Sequence, residues 1–129
     1  MQVVANRMAP EIPWRPGYRN WTLAGKAQGV SCTAGYAEIQ PGAGAPLHIH
    51  READEILILI EGRLEVRIGT EKMIVERGHT IAIPAGTPHA FIAMGEDVAR
   101  FYSFLPRQGA IATGTTYLEG EPPAGAAQR

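Results

Sequence analysis

Polar and apolar residues alternate with a period of two through much of the chain between residues 47 and 105, most cleanly in Arg63–Ile68. Leu64, Val66 and Ile68 share one face there, and Arg63, Glu65 and Arg67 share the other, the pattern of a strand with one buried face. Glu61-Gly62 turns the chain into this segment, and Gly69-Thr70-Glu71 closes a hairpin to a strand over 73–76. Strands are predicted upstream over 47–50 and 55–60, with a polar turn between them. The second is apolar at every position from Ile56 to Ile60, which predicts a strand covered on both faces. Residues 80–83, 89–92 and 98–105 continue the series, and residues 21–39 predict one or two earlier strands with Gly25 and Gly29 near a turn. No segment sustains helical periodicity over three turns. Short strands punctuated by Gly and Pro predict an all-β sandwich or barrel.

The remaining segments set the domain plan. Residues 1–20 are rich in proline and carry Trp14 and Tyr18, so they predict an extended arm rather than a helix. Residues 21–118 form the barrel domain, and residues 119–129, with Pro122 and Pro123, are expected to be a flexible tail. Pro41-Gly42-Ala43-Gly44-Ala45-Pro46 is a loop by composition. The whole is 129 residues, the size of one domain.

Charge and cysteine content narrow the partners. Twelve basic residues face thirteen acidic ones without a Lys/Arg run, so neither nucleic acid nor an anionic membrane is an expected partner. Cys32 is the only cysteine, which rules out an intramolecular disulfide and fits a reducing compartment. The first 14 residues lack an apolar stretch of signal-peptide length, and the longest apolar run is far too short to span a bilayer. A soluble, cytoplasmic protein is the expectation.

Three of the four histidines fall in two compact segments. In His48-Ile49-His50 the imidazoles are two residues apart, so on a strand both project from one face. Glu55 opens the next strand, where a short turn can return its carboxylate beside them. A second segment runs from Gly78 through Pro84-Ala85-Gly86 to His89 and delivers a third imidazole from a distant part of the chain. Three neutral imidazoles and one carboxylate suit one divalent transition metal per chain: Fe, Mn, Ni, Cu or Zn. Four protein ligands in an octahedral set leave two positions open, which makes such a site potentially catalytic.

These two segments resemble the paired motifs of the cupin superfamily. The first family pattern is Gly, five residues, His-x-His, three or four residues, Glu, six residues, Gly; Gly42, His48, His50, Glu55 and Gly62 match it. The second is Gly, five residues, Pro-x-Gly, two residues, His, three residues, Asn; Gly78, Pro84, Gly86 and His89 match, with Ala93 in place of the asparagine. Fifteen residues separate the motifs, a short spacing similar to that of small single-domain microbial cupins. The resemblance implies a double-stranded β-helix, or jelly-roll barrel, with His48, His50, Glu55 and His89 as metal ligands.

Other residues have plainer expected roles. His79 follows Gly78 in a turn and should be exposed; Arg51, Glu52 and Asp54 should form a solvated turn; Cys32 should be a small buried hydrophobe. Tyr36, Phe91, Tyr102 and Phe104 are expected in the core. Phe91 lies on the His89 face and is the best candidate for a substrate-pocket wall. Trp14 and Trp21 fit either a pocket or an arm packed on a neighbouring subunit. The resemblance implies first a mononuclear dioxygenase acting on a small organic substrate, broadly like the quercetin-dioxygenase-type cupins, with Glu55 as its base. A redox-neutral isomerase, lyase or cyclase and a non-catalytic binding module are the alternatives. A homodimer in which the arm or the adjacent strand packs against the partner and covers a sheet edge is the expected assembly.

Overall fold

The computed structural model describes residues 2–128. Its strands are β1 (Glu11–Arg15), β2 (Tyr18–Ala24), β3 (Thr33–Ile39), β4 (Gly44–His50), β5 (Glu55–Glu61) and β6 (Arg63–Ile68), followed by β7 (Glu71–Glu76), β8 (His79–Ile83), β9 (His89–Met94), β10 (Ala99–Leu105) and β11 (Thr115–Tyr117). They form two antiparallel sheets, a six-stranded one in the order β1-β2-β3-β10-β5-β8 and a five-stranded one in the order β11-β4-β9-β6-β7. This is the all-β architecture expected from the alternation, in the jelly-roll form that the resemblance implies. No helix among the described residues is long and apolar enough to cross a membrane.

The core lies between the inner faces, where alternate residues meet: Leu57 and Leu59 on β5, Leu64 and Val66 on β6, Phe91 on β9 and Phe101 on β10. Each such side chain contributes about 1.5–3 kcal/mol by leaving water. Turns between strands depend on glycine where the chain reverses. Gly62 sits at φ +76°, and a Cβ there would come within 2.7 Å of the Ala99 Cα, so neither the conformation nor the space admits a side chain. At Gly44 the obstacle is contact alone: a Cβ would meet the Phe91 carbonyl oxygen at 1.9 Å, which lets β4 and β9 approach closely.

Several expectations need correction. Ile56, Ile58 and Ile60 point outward from β5 and remain 36–44% exposed, so this strand is covered on one face only. Tyr102 and Phe104, expected in the core, share that outer surface, while Phe101, Ser103 and Leu105 point inward. An uninterrupted apolar run carries no period, so it cannot say which face is buried. Tyr36 and Cys32 are half-buried rather than core.

The segment expected as an arm is extended, but residues 11–15 and 18–20 are paired: β1 to β2, and β2 to β3 with Tyr18 opposite Ile39. Tyr18 is buried in the core. The expected tail lies along β1, where the Ala124 N–H donates to the Trp14 carbonyl at 3.0 Å. Met1 and Arg129, the outer ends of that arm and tail, lie outside the described residues. The pattern also gave no sign of α1 (Ala110–Gly114), which buries Ala110 and Ile111; five residues are too few for helical periodicity to show.

Candidate metal centre

β4 presents His48 and His50 on its buried face, two residues apart. In the antiparallel pairing of β4 with β9, His89 is the register partner of His48, which sets the third imidazole directly across the ladder. Ring centroids lie 4.1 Å apart for His48–His89, 4.9 Å for His48–His50 and 5.0 Å for His50–His89. One nitrogen from each ring falls within 4.8 Å of the other two. Glu55 begins β5 in the opposite sheet and reaches across the gap. Its Oε1 stands 3.5 Å from His50 Nε2 and 3.7 Å from His89 Nε2.

The turns that carry these residues are tied together. Asp54 Oδ1 accepts the Ala85 N–H at 2.8 Å, and the Gly86 N–H donates to the His50 carbonyl at 2.8 Å. The Pro84–Gly86 turn is therefore pinned to the first histidine pair before His89 leaves it. Glu52 and Arg51 remain exposed, Arg51 donating to Thr116 and to the Thr113 carbonyl. His79 is exposed on β8, its Nδ1 paired with the Glu76 carbonyl, and takes no part in the cluster.

All three metal-facing rings are held from behind. His48 Nδ1 donates to the Pro46 carbonyl at 2.7 Å and His89 Nδ1 to the Thr87 carbonyl at 2.9 Å. His50 Nδ1 pairs with Thr115 Oγ1 at 2.8 Å. Placing the proton on Nδ1 leaves the Nε2 lone pairs for an ion, the arrangement seen behind metal-binding histidines generally. His89 Nε2 is buried with no hydrogen-bond partner among the described residues, an orphan that a cation would satisfy. The cluster can thus hold a metal ion, and its nitrogen and carboxylate donors fit one.

Electrostatics favour the same protonation states. Burial, with the neighbouring His89 ring, pushes His48 down to about 3, so the ring is neutral at ordinary pH. Burial opposes ionisation of Glu55, but hydrogen bonds and charge from the His50 and His89 rings outweigh it and hold the carboxyl below the usual carboxylate range in the metal-free protein, a pull that a cation on those rings would take over. A neutral His48 and an ionised Glu55 are the forms in which those two groups bind a metal.

The cluster opens into a small cavity of about 30 Å³ that is partly open to solvent. Phe91 lines it together with His48, His50 and Glu55, and so does Trp14 from β1. Trp21 instead lies outside, beneath Tyr36 and with the Arg19 guanidinium 4.8 Å from its ring centroid. Sequence reasoning missed four polar wall residues: Arg15, Asn20, Ser103 and Tyr117. Ser103 was detectable, because it interrupts the inward series Ala99, Phe101, Leu105 with a hydroxyl. Arg15 and Tyr117 carry no such local signal, since their neighbours are irregular.

Comparisons with known proteins agree with this geometry. Residues 35–105 match the family profile described as "Cupin domain". Over 50 residues the chain is 36% identical to quercetin 2,3-dioxygenase of Bacillus subtilis (strain 168), covering 39% of this chain and 15% of that protein. Over 66 residues it is 35% identical to tetracenomycin polyketide synthase protein TcmJ of Streptomyces glaucescens, covering 51% of this chain and 44% of that protein. The polyketide cyclase RemF of Streptomyces resistomycificus superposes with a TM-score of 0.76 over 94% of this chain and 87% of its own, at 19% identity, a likeness of fold alone. The chain spans 15% to 54% of the length of the first curated relatives it matches.

Proposed function

Since this chain belongs to the cupin family, we propose that it is a mononuclear metal-dependent dioxygenase acting on a small organic substrate. The observation that carries the reading is the convergence of three Nε2 atoms, each ring anchored at Nδ1, with a buried carboxylate at their side. His48, His50 and His89 would hold the ion, with Glu55 as the fourth ligand or as a base beside it. A divalent metal bound there supplies Lewis acidity and, where the ion is redox-active, a means of bringing O2 to the substrate.

The chain's own residues do the rest. Glu55 is ionised and within reach of the cluster, so it takes the proton from a substrate hydroxyl as the oxygen is activated. Burial keeps His48 unprotonated, which preserves the site at neutral pH. Trp14 and Phe91 flank the cavity with apolar rings and limit the water that reaches the reacting carbon skeleton.

A redox-neutral reaction, an isomerisation, elimination or cyclisation, is the second reading. The occurrence of the same fold in a polyketide cyclase motivates it. Metal analysis of the purified protein, with O2 uptake measured against phenolic and dicarbonyl substrates, separates the two. Redox-active metal with O2 uptake supports the first. Zinc, or turnover without O2 uptake, defeats it in favour of the second.

The assembly proposed is a homodimer. Ile58 faces Tyr102 and Ile56 faces Phe104 across the β5–β10 ladder, and all four are outward and substantially exposed. A contiguous apolar face of this kind on a folded chain marks an interface, and a second copy offers the same apolar surface in return.

A further inference from the structure

One wall of the metal cavity carries a cation whose hydrogen bonds are incomplete. Arg15 ends β1, opposite Tyr18, and lines the cavity. Its Nη2 is buried with no hydrogen-bond partner among the described residues. Leaving a charged donor unpaired in the interior is costly, so such a group points to a ligand that completes it.

Its surroundings aim it toward the metal-binding residues. The guanidinium carbon stands 5.5 Å from the centroid of the Tyr117 ring, and that ring stacks on His48 at 5.6 Å with 22° between planes. Cation, phenol and imidazole therefore share one side of the cavity. Asn20 and Ser103 line the same space at 3% and 7% exposure. The acid in this cavity, Glu55, is turned to His50 and His89. Positive charge, an unpaired guanidinium nitrogen and a metal-binding cluster together describe a receptor for an anion with more than one oxygen.

We infer that Arg15 anchors a carboxylate of the substrate, with Asn20 and Ser103 as neutral partners, so that the substrate class is a small organic acid. A guanidinium offers two parallel N–H donors that match the two oxygens of a carboxylate, whereas a lysine would not. The acid presents a second oxygen to the metal centre, and in that respect the inference rests on the metal-centre reading above. It extends to either reaction type, since it concerns binding and not the step that follows.

The test is calorimetry on the metal-loaded full chain with malonamate and malonamide. These probes share one amide end, whose oxygen the metal centre can take, and differ in whether the other end is a carboxylate or a neutral amide. Wild type is expected to favour malonamate by about tenfold or more, the scale of a charge-assisted pair of hydrogen bonds. In Arg15→Gln, at unchanged metal content, that preference should fall to near unity. A wild type that binds both probes equally overturns the inference without any variant, and so does an Arg15→Gln protein that keeps the preference. Should the glutamine variant fail to fold, Arg15→Lys decides: it keeps the charge but loses the fork, so an undiminished preference overturns the assignment. O2 uptake does not enter this readout. A missing carboxylate preference leaves the proposed metal chemistry standing, and a missing O2 uptake leaves the carboxylate site standing.

Discussion

Thr115→Val tests how far the fold, rather than the ligands alone, makes the metal site. Thr115 Oγ1 lies 2.8 Å from His50 Nδ1, and the His50 side chain is only 4% exposed. Valine keeps the branched shape that β11 favours and removes only the hydroxyl. The His50 Nδ1–H then has no partner in a site closed to bulk water, which costs about 1–3 kcal/mol. The ring can relieve this by moving its proton to Nε2, where Glu55 Oε1 waits at 3.5 Å. That tautomer has no lone pair facing the metal. Either way the metal-bound state weakens, and affinity should fall about ten- to a hundredfold, the usual effect of losing a partner behind a metal-binding histidine. Converted at about 1.4 kcal/mol per factor of ten, this is about 1.4–2.7 kcal/mol, consistent with the cost of the orphaned donor. Competition against a chromophoric chelator measures it, with Thr116→Val as the control. Thr116 lies on the same short strand but contacts Arg51, so its loss should leave affinity within about twofold. A Thr115→Val protein with wild-type affinity would refute the argument, as would an equal fall in both variants.

Glu55→Gln should keep much of the metal, because three imidazoles remain, while turnover drops by about 10²–10⁴-fold, as for a lost general base; unchanged activity per bound metal would make Glu55 a bystander. His89→Ala removes a ligand and the orphaned Nε2 together, so tight metal binding should vanish while the circular dichroism of the sheets persists. In the metal-free protein, stability should be level above about pH 6.5 and decline as pH falls toward about 3, by up to about 1.4 kcal/mol per unit. The sign follows from His48, whose pKa is lower folded than unfolded: the unfolded chain takes up the proton first, and the lowered Glu55 adds loss of the same sign in acid. Urea midpoints that match at pH 7.5 and pH 5 would contradict this. Ile58→Glu places a charge on the exposed β5 face and should convert the proposed dimer to monomer by light scattering; a wild type that is already monomeric in solution defeats the assembly.

The strand periods and the two histidine segments are local properties, and the sequence by itself determined them. Alternation at Arg63–Ile68 predicts a strand because side chains on a pleated backbone must point to opposite sides, whatever the strand packs against. His48-Ile49-His50 shares a face for the same reason, and the glycines that bracket it supply turns no other residue allows. Tertiary structure decided what depends on a partner distant in sequence. The placement of Ile56, Ile58 and Ile60 on an open face follows from which layer covers β5, and an unbroken apolar run cannot express that. Thr115 reaches His50 across 65 positions, and only the β11–β4 register brings them together. Arg15 joins the cavity because β1 pairs with β2 at the rim of the six-stranded sheet, although its neighbours Pro13 and Pro16 suggest a segment without a partner. The candidate ligands His48 and His50 were legible because their spacing matches a strand's own geometry. The groups that orient them, and the cation beside them, were not, because sheet order sets their positions and no local period records it.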